Sequence, residues 1–137
     1  MVIREVKRSD LLAVTELLQG LSAFIPQEFE LENSWLGFIS QANLLAIVAE
    51  IDGVVVGYGV LMTEEKIRGG KAGHIEDIVT HPDYRGIGIG RAITDFLAGR
   101  AIDLGCYKLV LQCAEENRGF YERLGYRQMH LAMQRFL

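Results

Sequence analysis

The sequence predicts an α/β domain: a mixed β-sheet with helices on both faces, in the order β-α-α-β-β-β-α-β-α-β. Three observations predict it. Short β-branched, apolar runs recur at Leu44–Ile51, Val54–Met62 and Tyr107–Leu111, each of strand length. Between them lie segments with apolar residues three and four apart, the spacing of one helix face. The runs and periodic segments alternate along the chain, which points to layered helices and sheet rather than to separate α and β halves. At 137 residues the chain is read as one domain over 1–137, with 50% hydrophobic and 23% charged residues, ordinary for a soluble globular protein.

Val2, Ile3 and Val6 suggest a short first strand. Ser9 is placed to cap a helix carrying Leu11, Leu12, Val14, Leu17, Leu18 and Leu21, which should end near Gly20. From Phe24 to Gln41 the pattern weakens. Pro26 breaks the chain, and Phe29, Trp35, Leu36 and Ile39 suit a second short helix, with Trp35 and Phe38 either in the core or as pocket walls. Asp52-Gly53 is a turn pair that tolerates positive φ, so Leu44–Ile51 and Val54–Met62 form a hairpin. Gly57 and Gly59 inside the second strand mark a bend or a close backbone approach. The charged stretch from Glu64 to Lys71 is a solvated hairpin tip or a functional loop, and its Lys66, Arg68 and Lys71 form the one basic cluster.

A central strand through Ile75, Ile78 and Val79 stops at Pro82. A glycine loop follows, then a helix from about Gly88 to Leu104 with Ile89, Ile93, Phe96, Leu97 and Ala101 at helical spacing, closed by Gly105. After the Tyr107–Leu111 strand, Asn117 to Leu124 suits a short helix ended by Gly125, and Tyr126 to Leu137 finishes as a strand or two.

Several function classes are disfavoured. The net charge of −4 argues against a nucleic-acid footprint. No apolar run approaches the length of a membrane span, and Met1–Val6 opens as strand-like alternation rather than as a signal peptide. Cys106 and Cys113 lack metal-site spacing, so buried free thiols, no metal and a cytoplasmic location are expected.

The chemistry concentrates in Arg85-Gly86-Ile87-Gly88-Ile89-Gly90. Glycines at alternate positions let backbone amides turn toward a ligand, and the helix beyond offers unpaired N–H groups to an anion. The loop is not a P-loop, because Arg91-Ala92 follows Gly90 in place of Lys-Ser/Thr. Its glycines are too closely spaced for Gly-x-Gly-x-x-Gly. Taken alone, it is a phosphate cradle or a tight strand-to-helix turn.

Arg-x-x-Gly-x-Gly here, with Asn117…Phe120-Tyr121-Glu122-x-x-Gly125-Tyr126 downstream, resembles the GNAT acetyltransferase superfamily. The Gly73-His74-Ile75-Glu76-Asp77-Ile78 strand, Gly105-Cys106-Tyr107-Lys108 and the Met133-Gln134-Arg135-Phe136 ending resemble glucosamine 6-phosphate N-acetyltransferases within it. The resemblance implies an acetyl-CoA-dependent enzyme acting by direct attack in a ternary complex. It implies that the backbone of Asp77, Ile78, Val79 and Thr80 pairs with the pantetheine arm. The pyrophosphate would lie on the amides of Arg85, Gly86, Ile87, Gly88, Ile89 and Gly90 with Arg91 at the rim, and Asn117 would also contact the cofactor. Tyr121 would protonate the leaving thiolate, and Glu76 would receive the acceptor amine, with Asp77 beside it. Arg135 would bind the sugar phosphate across a homodimer, with Lys66 a further candidate. One departure stands out: Leu111-Gln112-Cys113 carries Gln112 where the family has an acidic residue beside the amine. That leaves two other readings open, an acetyltransferase for another amine (a protein N-terminus, a lysine or another small amine) and a non-catalytic acyl-CoA-binding module. His74 adjoins Glu76 on one strand face and is a candidate base, as, less well placed, is His81.

Overall fold

The computed structural model describes residues 1–24 and 28–137, with the side chains of Glu28 and Phe29 outside the description. The chain break expected at Pro26 and the placing of Phe29 on a helix face therefore lie outside the described residues. Five strands form one sheet in the spatial order β1-β2-β3-β4-β5. They are β1 (Val2–Glu5), β2 (Leu44–Ile51), β3 (Val54–Glu65), β4 (Lys71–Thr80) and β5 (Cys106–Val110). The first four pair antiparallel, and β5 joins β4 in parallel. A parallel neighbour needs a crossover, supplied here by α3 (Ile89–Asp103). The remaining helices are α1 (Leu11–Leu18), α2 (Glu28–Ile39) and the short α4 (Arg118–Arg123).

The apolar residues divide by face. Ile47, Ala49, Val56, Leu61 and Ile75 pack with Ile89, Ile93 and Leu97 of α3 on one side. Ala46, Val48, Tyr58, Val60 and Val79 pack with Val14 and Leu17 of α1 on the other. This is the period-2 alternation of strands buried on both faces. Trp35 is buried and Phe38 packs against the α1-side cluster, which settles both as core residues. The β2–β3 turn takes positive φ at Asp52 and Gly53, as that pair requires.

The edge strand β1 is fixed by charge. Arg4 forks onto Asp10 at 2.7 and 2.9 Å and reaches Glu50 on β2 at 2.7 Å, while the Lys7 amide donates to Asp10 at 2.7 Å. The Arg4 hydrogen bonds hold the Asp10 carboxyl below its ordinary range, outweighing its burial. A depressed carboxylate pKa contributes stability above the unfolded value near 4 that is lost as pH falls through the folded one. Asp10→Asn should therefore cost about 1–3 kcal/mol at pH 7, and the difference from wild type should narrow in urea titrations as pH falls below the unfolded value near 4. An equal gap above and below that value would mean that the cost is steric.

Three expectations change. The strand or two foreseen in Tyr126–Leu137 are a tail without assigned strand, since the residues alternate but do not pair with the sheet among the described residues. Met129, Leu131, Met133 and Phe136 stand 63–89% exposed along it. The Glu64–Lys71 stretch, read as a hairpin tip or a functional loop, makes a shorter loop than its length suggests: a tight turn between lengthened strands, closed by Lys66 N–H to Gly70 O and Gly69 N–H to Lys66 O. Both cysteines are free thiols, but Cys106 is only half-buried and Cys113 is exposed, because β5 ends at Val110 before reaching it.

Candidate active site

Strand β4 carries the site. It pairs with β5 only from Lys71 to His74, yet it continues to Thr80. Among the described residues, the edge facing β5 has no strand partner from Ile75 to Thr80, leaving backbone donors and acceptors for an added chain. Its other edge holds a β-bulge: Val60 pairs with Glu76 and Tyr58 with Val79, so Asp77 and Ile78 together oppose Gly59. Asp77 takes φ 54° there. A left-handed non-glycine residue costs about 1–2 kcal/mol, and Asp is among the types that tolerate it. Burial pushes the Asp77 carboxyl above its ordinary range.

Beyond Thr80 the chain turns sharply. The His81 amide bonds Val56 O at 2.8 Å, and the turn at Pro82–Tyr84 leads into the glycine loop. Gly86 and Gly88 take φ 80° and 89°, and Gly88 is the N-cap of α3. A Cβ at either would meet no atom within 4 Å, so the loop faces open space. Buried Ile89 anchors the first turn of α3. At Gly90 three elements meet, since a Cβ there would lie 3.6 Å from both the Thr80 hydroxyl and the Phe120 ring of α4. Exposed loop residues, positive-φ glycines and the N-terminus of a 15-residue helix together have the character of a candidate anion cradle. Arg85 and Arg91 are exposed at its rim, with Arg91 held 3.5 Å from Asp95.

Phe120 thus ties α4 to the cradle, and Tyr121 follows it. Tyr121 is half-buried, edge-on to Phe120 at 4.9 Å and to Tyr126 at 5.8 Å. Burial raises its phenol pKa, followed by the nearby Cys113 and Tyr126, so Tyr121 carries its proton at neutral pH. Asn117 precedes α4 with an exposed side chain and makes no capping bond.

The α1 side of β4 holds the polar residues. Met62 and Val60, opposite His74 and Glu76, both belong to the α1-side packing, which puts His74 and Glu76 on that face. Leu111 packs on the α3 side. Gln112 follows it just beyond the end of β5 at Val110, with its side chain exposed. Sequence reasoning missed Tyr58. It is 4% exposed, and its phenol pKa is raised by burial and by the Asp77 charge. An apolar strand pattern gives no signal for such a residue.

Two expected site residues stand apart. Lys66 sits at the β3–β4 turn, bonded to Glu64 at 2.9 Å, and six residue steps along β4, about 20 Å, separate Lys71 from Asp77. Arg135 lies in the exposed tail. A cavity of about 480 Å³ shares Thr80 and Arg85 with the cradle but opens beside α1 and the β2–β3 turn. Glu76 and Tyr121 do not line it. Among the described residues no three metal-binding side chains are grouped, and no helix is long and apolar enough to cross a membrane.

The acetyltransferase (GNAT) family model matches residues 12–126. The glucosamine 6-phosphate N-acetyltransferase of Trypanosoma brucei brucei is 38% identical over 133 residues, covering 91% of this chain and 88% of that one. The Arabidopsis thaliana protein of that name is 36% identical over 95 residues, covering 68% of this chain and 64% of that one. A crystal structure of glucosamine-6-phosphate N-acetyltransferase from Arabidopsis thaliana superposes with TM-score 0.90 at 31% identity, covering 98% of this chain and 97% of that chain.

Proposed function

Because the chain belongs to the acetyltransferase (GNAT) family, we propose that it transfers acetyl from acetyl-CoA to the primary amine of a small molecule, with glucosamine 6-phosphate as the acceptor. The observation that carries the acetyl-CoA reading is the open glycine cradle at α3 set beside the free Ile75–Thr80 edge. The residues present fit that co-substrate. Amides of Arg85 to Gly90, with Arg91, suit its pyrophosphate, and the Asp77–Thr80 backbone suits the amide groups of its arm. The co-substrate supplies an activated thioester carbonyl. Glu76 and Asp77 receive the acceptor amine, the Val79 amide region takes the carbonyl oxygen's developing charge, and Tyr121 donates its proton toward the departing sulfur. Asn117, the residue before α4, is a further candidate contact for the co-substrate.

The acceptor reading rests on the relatives, whose printed activity is with glucosamine 6-phosphate. Its phosphate calls for a cation. Arg135 lies in the exposed tail, away from Glu76 within one chain, so in this reading it comes from a second protomer docked through that tail, and the enzyme is a homodimer. Two free thiols accord with a cytoplasmic enzyme. Gln112 favours the second reading, an acceptor amine other than an amino sugar, because no acidic side chain stands at that position to attract an ammonium.

Thiol release from acetyl-CoA tests this, with glucosamine 6-phosphate against unphosphorylated glucosamine. Release that depends on the phosphate is expected. Release with other amines but not with the sugar phosphate would overturn the acceptor and retain the transferase. A protein stabilised by acetyl-CoA that acetylates no amine in a broad panel would be a binding module.

A further inference from the structure

Beside Glu76 the α1 face of the sheet carries a hydrogen-bonded chain that the catalytic assignment leaves unused. His74 Nε2 lies 2.9 Å from Glu64 Oε1, and Lys66 Nζ lies 2.9 Å from the same oxygen. The three residues run from the β3–β4 turn along the sheet toward Glu76, which is two positions beyond His74 on the same face. His74 is also the last residue of β4 paired with β5, so it stands where the two strands begin to part. Its side chain keeps 35% exposure and that of Glu64 47%, so the chain opens to water at its outer end.

Glu64 fixes the chemistry of the ring. A carboxylate accepts hydrogen bonds and cannot donate them, so Nε2 must carry the hydrogen it shares with Glu64. Lys66 first, and His74 second, hold the Glu64 carboxyl below its ordinary range, which keeps it an anion. Nδ1 is left as the ring's proton acceptor. Second partners of this kind set both tautomer and ring orientation.

The acceptor enters as an ammonium, and Gln112, just beyond β5, is an amide that neither carries charge nor takes a proton. We propose that His74 is the proton outlet of the acceptor site: its ring, oriented by Glu64 and Lys66, takes the ammonium proton by way of Glu76 and passes it to solvent. This rests on the transferase reading above. The ammonium loses one proton to the Glu76 carboxylate, which hands it to Nδ1 of His74, and the imidazolium releases it to water. The neutral nitrogen then bonds to the thioester carbonyl carbon while the C–S bond breaks, its electron pair staying on sulfur. Tyr121 gives its proton to that sulfur and recovers one from the newly bonded nitrogen. In total one proton reaches solvent per acetyl transferred, and Glu76, His74 and Tyr121 return to their starting states. His74 is a positioning and relay residue here, acting through Glu76, and Lys66 serves the site through Glu64 without reaching the acceptor.

Two readouts test the relay, one of them independent of turnover. In ¹⁵N spectra of the labelled protein the His74 ring should show the Nε2–H tautomer, and Glu64→Ala should convert it to a mixture. A ring found as Nδ1–H overturns the proposal. In thiol-release assays His74→Ala should lower kcat by about 10²-fold, the lower end of a proton-transfer contribution, leave the KM for acetyl-CoA unchanged, and recover rate when imidazole is added. Turnover at the wild-type rate, or a loss that imidazole does not relieve, overturns it. If the wild-type protein acetylates none of the amines offered, the transferase reading falls and the relay with it. An active enzyme indifferent to His74→Ala removes the relay alone.

Discussion

Replacing Tyr121 with Phe is expected to lower kcat for acetyl transfer by about 10–10³-fold, the range of a single acid–base contribution, with acetyl-CoA affinity nearly unchanged. The two halves of this expectation come from different parts of the residue. The ring packs edge-on against Phe120 and Tyr126, and Phe120 in turn seats α4 on Gly90 at the cradle. Phe keeps those contacts, so the cradle and its affinity survive. In the proposed reaction the hydroxyl does the chemistry. Burial and the neighbouring Cys113 raise its pKa, so it is a full donor at neutral pH and a reluctant one to ionise. Its contribution is therefore a strong hydrogen bond to the sulfur as charge develops, with complete transfer only late in the step. Parallel calorimetry with acetyl-CoA and thiol-release kinetics separate the two halves. Retained kcat in the Phe variant would remove Tyr121 from the mechanism. Lost affinity with retained kcat would make it a packing residue.

The parts of this site that were legible in the sequence are those that backbone conformation forces on residue type. Gly86 and Gly88 take positive φ, so the loop has to spell itself in glycine. Asp52-Gly53 announces its turn for the same reason, and the α3 face repeats at helical spacing because it is packed along its length. Asp77 takes a left-handed conformation without a glycine to mark it. Ile75-Glu76-Asp77-Ile78 therefore reads as uninterrupted strand, and the bulge at Asp77 and Ile78 is invisible until the β3 register is known. The parting of β4 and β5 after His74 is likewise a property of pairing, not of either strand. Lys66 was drawn to the site by charge alone, and the hairpin geometry carries it to the far end of β4. Cys113 was expected to be buried because its neighbours are apolar, but the strand stops three residues earlier. The tail alternates like a strand, and alternation says which faces would be buried without saying that a partner edge exists.

Gly59→Val is the substitution expected to cost the fold most, about 3 kcal/mol in urea titrations, and it should weaken acetyl-CoA binding as well. A Cβ at Gly59 would lie 2.7 Å from Ile78 Cδ1, 2.7 Å from Ile93 Cγ2 and 3.2 Å from Leu97 Cδ1. Ile93 and Leu97 are fully buried on α3. The Ile93 contact is to a β-branch methyl, which cannot swing away without a rotamer change in a packed core. Against this, giving the strand a side chain recovers about 0.5–1 kcal/mol of backbone entropy, too little to offset the clash. Gly57, on the same face of β3, would meet Ile93 Cδ1 at 2.6 Å and Ile89 Cγ2 at 2.9 Å. The pair forms a shallow groove into which α3 sinks, which sets how closely the glycine loop approaches β4. Gly59 also opposes the Asp77–Ile78 bulge, so a Val there presses on the helix and on the strand edge at once. Lifting α3 moves the anion cradle away from the Ile75–Thr80 edge, and a ligand that spans both loses one or the other. Gly57→Ala, whose nearest neighbour is the flexible end of Ile93, should cost less. Equal stability for Gly59→Val and wild type would mean that α3 is free to ride higher on the sheet. Lost stability with unchanged acetyl-CoA affinity would mean that the cradle and the strand edge are not joined through this groove.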